Sequence, residues 1–161
     1  GHHAEDAARQ TQKIRFDWMK IRLVMLGKTR RDEFRSLLDE YVHRISNYAV
    51  IAVNEMRDSS PVSFQKLKID SASTVVLLDA GGKQLTSAQF ARWVANLRDR
   101  GTREMVFLCG DADGFPDELR AKARQKVSLS TLTMPHDFAR VVLAEQIYRA
   151  FTILHGHPYS K

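Results

Sequence analysis

The chain has 161 residues, with 25 Lys and Arg against 19 Asp and Glu for a formal charge of +6, and 43% of its residues are hydrophobic. That length supports one sizeable core and leaves no room for two full-sized catalytic domains, while the composition excludes a disordered chain or a collagen-like fibre. The single cysteine, Cys109, excludes an internal disulfide framework and a thiolate zinc cage.

No run reaches the roughly 18 apolar residues of a membrane span, and no charged-then-apolar signal segment opens the chain. The expectation is a cytoplasmic protein in a reducing compartment, with no membrane partner. Gly1-His2-His3 reads as the scar of a cleaved affinity tag, and Met19 as a candidate native start. Within residues 1–18, Arg9, Lys13 and Arg15 are balanced by Glu5, Asp6 and Asp17, so the whole excess of positive charge sits in a single domain over 19–161. A basic body of this size suits a polyanionic partner such as nucleic acid.

Lys-Ile-Arg-Leu-Val-Met-Leu after Met19, bounded by Gly27, predicts a first strand. Asp32 precedes a helical stripe of Phe34, Leu37, Leu38, Tyr41, Val42 and Ile45. A second strand over Ala49 to Val53 follows, and Arg57-Asp58-Ser59-Ser60-Pro61 reads as a polar loop. Thr74 to Leu78 has the continuous β-branched and aliphatic character of a buried parallel strand ending at Asp79, followed by a tight turn at Ala80-Gly81-Gly82. Ser87 is placed to cap a helix with Phe90, Val94 and Leu97 inward and Gly101 at its end. Met105 to Cys109 is the next strand. A short basic helix near Asp117 to Lys126, a brief strand at Val127 to Leu129 and a last helix from about Asp137 to Leu154 complete the order.

Strands alternating with helices imply an α/β fold with a mostly parallel sheet and helices on both faces. Ligands bind such sheets beyond the strand C-termini, where Leu78-Asp79-Ala80-Gly81, Cys109-Gly110 and Leu129-Ser130-Thr131 converge on one candidate pocket. Gly27-Lys28-Thr29 lacks the earlier glycine of a P-loop, Arg22 standing there, and no dinucleotide-binding glycine fingerprint follows a strand. Lys28, Arg30 and Arg31 suit either a phosphate-contacting patch or a solvated turn. His155 and His157 lack a third ligand, so no metal is expected. Cys109 reads as a small core hydrophobe rather than a nucleophile. Glu145 and Arg149 stand four apart on the last helix, which fits an ion pair on its surface or an RNA-facing site.

The densest polar clustering lies in the last quarter, and there the chain becomes recognisable. Ser128-Leu129-Ser130-Thr131-Leu132-Thr133-Met134-Pro135-His136, then Arg140-Val141-Val142-Leu143-Ala144-Glu145-Gln146-Ile147-Tyr148-Arg149-Ala150, then His157-Pro158-Tyr159 resemble the ribosomal RNA large subunit methyltransferase H family. These are pseudouridine-N3 methyltransferases of the SPOUT superfamily. Weaker similarity runs back through Val76-Leu77-Leu78-Asp79 to Met19-Lys20-Ile21-Arg22-Leu23.

The resemblance implies a deep trefoil knot near the C-terminus, a homodimer, S-adenosylmethionine as methyl donor, and a pseudouridine of 23S ribosomal RNA, in the assembled ribosome, as acceptor. It assigns donor contacts to Leu78, Gly110, Leu129, Ser130, Thr131, Leu132, Thr133 and Met134. Catalytic roles go to His136, Glu145, Arg149 and Tyr159, and RNA contacts to Arg140 and His157. Which of His136, Glu145 and Tyr159 acts as base stays open at this point. Two departures stand out. The family's Gly-Gly-Pro-Glu-Gly loop reads Gly110-Asp111-Ala112-Asp113-Gly114 here, placing a carboxylate where the cofactor should pass, and the segment between Glu55 and Ser73 is shorter than usual. The alternatives are an RNA-binding SPOUT protein with weakened catalysis and a SPOUT enzyme acting on another RNA nucleotide.

Overall fold

The structure is a computed structural model that describes residues 19–58, 60–69, 71–110 and 114–159. The readings of residues 1–18 and of Asp111 therefore lie outside the described residues. Five strands, β1 (Lys20–Leu26), β2 (Val50–Met56), β3 (Ser73–Gln84), β4 (Glu104–Cys109) and β5 (Ala123–Ser128), form one parallel sheet in the order β2-β1-β4-β3-β5. Between and after them run α1 (Asp32–Ile45), α2 (Pro61–Lys66), α3 (Ser87–Asp99), α4 (Asp117–Lys122) and α5 (His136–His155).

The central strands are apolar on both faces because helices cover both. Along β1, Ile21, Leu23 and Met25 face the core under α1, α3 and α5, while Val24 faces the opposite core under α2 and α4. In β4, Met105, Phe107 and Cys109 take the first face and Val106 and Leu108 the second. This two-residue alternation divides one continuous hydrophobic run between two cores. The larger core holds Phe90, Phe107, Leu143, Ile147 and Phe151, each contributing about 1.5–3 kcal/mol by burial.

Several boundaries differ from the sequence reading. Leu37 is 41% exposed, because at 100° per residue it lies beyond the edge of the stripe that buries Leu38 and Ile45. Thr86, not Ser87, caps α3: its hydroxyl accepts from Gln89 N–H, and the Gln89 side chain accepts from Thr86 N–H in a capping box. The polar stretch after Arg57 starts α2, with Ser60 as its cap. Asp58 accepts from Ser60 N–H and Ser63 Oγ, and these hydrogen bonds, Ser60's foremost, hold its carboxyl at about 2. The helix after Pro116 stops at Lys122, and β5 begins at Ala123 rather than Val127.

The turn expected after Leu78 lies within β3, which pairs with β5 on both sides of a register shift: Leu78 and Lys83 both oppose Val127. Gly82 makes this possible. A Cβ there would sit 2.7 Å from the Lys126 carbonyl carbon, so only glycine admits the β5 backbone at this distance. At the other end of the sheet, buried Arg22 pairs with Glu104 at 3.0 Å and donates to the Leu67 carbonyl, and Ser73 Oγ donates to the same Glu104 oxygen at 2.7 Å. That charge network stands at the N-terminal end of the strands, away from the ligand-binding end.

Candidate functional site

The chain leaves β1 toward β2 at one edge and leaves β4 toward β5 at the other, so adjacent β1 and β4 mark the topological switch point. Crevices open at such points beyond the strand C-termini. Beside that point, on the β3 side of β4, a cleft of about 260 Å³ is walled by β3 at its register shift (Leu78, Asp79, Ala80), the end of β4 (Cys109, Gly110), the segment between β5 and α5, and the first turns of α5. Gly110 has a φ of +146°, and a Cβ there would press on the Leu26 side chain at 3.0 Å. Glycine thus keeps the floor of the cleft as bare backbone. Local turns shape the walls: Asp79 Oδ1 accepts from Gly81 N–H at 3.2 Å, and Ser130 Oγ accepts from Leu132 N–H at 3.0 Å.

The cleft collects seven of the eight residues that the resemblance assigned to the donor: Leu78, Gly110, Leu129, Ser130, Leu132, Thr133 and Met134. Thr131 is exposed and lies outside its lining. Leu132 is 76% exposed at the rim, so an apolar side chain stands open to solvent where a ligand would cover it. The sequence reading missed Ala139 as a wall residue. Its signal was the spacing from His136, which puts positions 136, 139 and 140 on one side of α5.

His136, the first residue of α5, lines this cleft. Arg140, one turn on, was expected on RNA but is only 3% exposed. Its Nη2 donates to the Leu26 carbonyl at 2.6 Å and its Nη1 to Thr29 Oγ1 at 3.1 Å. Arg140 thus ties α5 to the loop after β1 and cannot reach out to a phosphate without leaving both partners. Cys109 is buried, and burial pushes its thiol up to about 12, against the opposing pull of Arg140. It stays a neutral thiol at physiological pH, as the core reading requires.

Glu145, Arg149 and Tyr159 form a second group. Glu145 Oε1 accepts from Arg149 Nε at 2.9 Å, Arg149 Nη2 at 2.5 Å and Tyr159 OH at 2.9 Å, while Oε2 accepts from Gln146 Nε2 at 2.8 Å. The Arg149 guanidinium lies over the Tyr159 ring at 4.4 Å, and Tyr159 packs on Tyr148. Burial, reinforced by hydrogen bonds with Tyr41 and Glu145, raises the Tyr159 pKa well above the usual phenol range. Tyr159 is therefore a hydrogen-bond donor at neutral pH. His157 was expected on RNA; its Nδ1 lies 2.8 Å from Tyr48 OH, and its ring stacks on His155. The tail is folded back on α1 and α5.

The two groups lie apart within one chain. Arg149 is nine residues past Arg140, about 13 Å along the helix axis, and none of Glu145, Arg149, His157 and Tyr159 lines the cleft. No group of three or more potential metal ligands occurs among the described residues, and no helix there is long and apolar enough to cross a membrane.

A parallel α/β sheet with a cleft of bare backbone and short side chains after its last strand, closed by a C-terminal helix, defines a class that comparison with known proteins names. Residues 19–160 match the family model described as "Predicted SPOUT methyltransferase", and the chain belongs to the SPOUT methyltransferase family. Within that class it is similar to the ribosomal RNA large subunit methyltransferase H of Geotalea daltonii, 39% identical in an alignment of 151 positions that covers 88% of this chain and 99% of that relative. The proteins of the same name from Koribacter versatilis and Sorangium cellulosum are 40% and 38% identical over 144 residues, covering 88% of this chain and 97% and 99% of the relatives. The family implies an enzyme that works with a methyl donor.

Proposed function

We propose that this protein methylates N3 of a pseudouridine in 23S ribosomal RNA, with S-adenosylmethionine as donor. The observation that carries the reading is the convergence of seven sequence-assigned donor residues on one cleft at the C-terminal ends of β3, β4 and β5. It is supported by about 40% identity to ribosomal RNA large subunit methyltransferases along nearly their whole length.

The cleft suits the donor chemically. An adenine and a methionine chain need backbone donors and acceptors with apolar enclosure, which Gly110, the 129–134 segment and Leu78 offer. Bound there, S-adenosylmethionine supplies an electrophilic methyl group. The protein's part is to hold the acceptor nitrogen in line with that methyl group and to accept the imide proton. His136 is the imidazole on the cleft wall and is assigned that proton. Glu145, already accepting four hydrogen bonds, orients Arg149 and Tyr159 toward the substrate rather than acting as a free base.

The distance between the cleft and the tail cluster favours a homodimer in which one subunit's tail faces the other's cleft. Leu37 and Ile153, 41% and 47% exposed on α1 and α5, are apolar surface for such a contact. The knot belongs to this proposal, as do action on the assembled ribosome and a cytoplasmic location. The direct test is incubation with labelled S-adenosylmethionine and ribosomes that lack the modification, followed by nucleoside mass spectrometry. The expected product is N3-methylpseudouridine; no methylated pseudouridine, where a verified relative produces it, overturns the reading.

A further inference from the structure

A second groove, of about 420 Å³, lies on the other side of His136 and Arg140 from the donor cleft. One wall is the loop from Leu26 to Arg31 and the start of α1; the other is the first turn of α5. Its lining carries Lys28, Arg30, Arg31 and Arg140 against one carboxylate, Asp137. We propose that this groove holds backbone phosphates of the RNA strand beside the nucleotide being methylated, an inference that rests on the RNA methyltransferase reading above.

The loop is built to hold its cations in place. Gly27 N–H donates to the Met56 carbonyl at 2.8 Å, with Gly27 at a φ of +77° turning the chain away from β1. Thr29 is buried: its hydroxyl accepts from Arg140, and its carbonyl accepts from Arg35 Nη2 at 2.7 Å. Arg30 N–H donates to Asp137 Oδ2 at 3.1 Å, so the groove's one carboxylate is used in fixing the loop. The Lys28, Arg30 and Arg31 side chains are left exposed. Neither Lys28 nor Arg30 has a carboxylate partner for its side chain among the described residues, and Arg31 meets Glu33 at 3.6 Å where both are largely in water. Such a surface pair is worth little, and a phosphate readily replaces it.

The groove also carries a feature that free anions do not need. Phe138 is 49% exposed and meets Phe34 edge to face at 4.5 Å, with the Arg31 guanidinium over the Phe34 ring at 5.3 Å. An open aromatic face beside three cations is the combination that binds a stacked base and its phosphates. Because His136 and Arg140 are common to both clefts, a nucleotide presented to the donor has its neighbouring phosphates directed into this groove. Arg140 does not touch them; it positions the loop that does.

The test is cosedimentation of the protein with 70S ribosomes between about 50 and 200 mM salt, comparing the wild type with the triple variant Lys28→Ala, Arg30→Ala, Arg31→Ala. The expected result is roughly 10- to 100-fold weaker binding and a log–log salt slope reduced by about two to three. Calorimetric affinity for S-adenosylmethionine and the melting temperature should stay at wild-type values. A control triple, Lys66→Ala, Lys122→Ala, Arg124→Ala, removes the same charge from exposed positions elsewhere. An unchanged slope, or an equal loss in the control, overturns the groove assignment while ribosome methylation by the wild type leaves the enzyme reading standing. Failure of the wild type both to bind and to methylate ribosomes overturns both.

Discussion

The cleft beside the first turns of α5 and the tail cluster are built on opposite plans. The cleft is made of strand and turn backbone, with Gly110 and the 129–134 segment presenting main chain, and its shape comes from where the sheet ends. The tail cluster is made of long polar side chains converging on the one carboxylate of Glu145, and its geometry depends on hydrogen bonds. Backbone placement thus shapes one region and side-chain hydrogen bonds shape the other. Residue 140 anchors the cleft end of α5 and residue 145 begins the other.

The comparison predicts that damage to the cleft end is mainly structural and damage to the tail end mainly kinetic. The largest effect is expected from Arg140→Ala, which strands the Leu26 carbonyl and Thr29 hydroxyl and empties a buried site. Urea unfolding should show a loss of about 2–4 kcal/mol. A loss well under about 1 kcal/mol means that Arg140 does not clamp the loop. Glu145→Gln comes next: the fold keeps its core, but Arg149 and Tyr159 lose their common anionic acceptor. Turnover should fall about 100-fold, with donor affinity unchanged. Parallel loss of donor affinity would merge the two regions into one.

The smallest effect is a pH dependence confined to the tail. Burial, with His157 and Arg98 adding repulsion, lowers the His155 pKa in the folded state. The unfolded chain therefore takes the proton first, so this contribution is complete above the unfolded value of about 6.5 and is lost as pH falls through the folded one. Proton NMR of the Tyr48 ring, which packs on His155, should report loosening on acidification, with the Leu143 and Ala144 methyl resonances in the core unmoved. Loss of core dispersion in step with the tail breaks the separation.

Much of the fold was legible in the sequence because burial on both faces leaves continuous apolar runs, as in β1 and β4, and one-sided burial leaves a three-to-four stripe, as in α1 and α3. The places that misled share a cause. The β3 register shift and the late start predicted for β5 turn on backbone contacts, of which Gly82 against Lys126 is the clearest. Pattern reading sees side chains and not these approaches.

The sequence by itself determined the parallel α/β class, the meeting of the segments around Leu78, Gly110 and Leu129, and, through the unusual order of its C-terminal clusters, the family. Only the tertiary structure decided what each polar residue of α5 does. Arg140 and Arg149 carry the same side chain nine positions apart, yet one is sealed against the Leu26 carbonyl and the other lies over Tyr159. The difference is the surface packed against each turn of the helix, a long-range fact that composition and spacing do not contain.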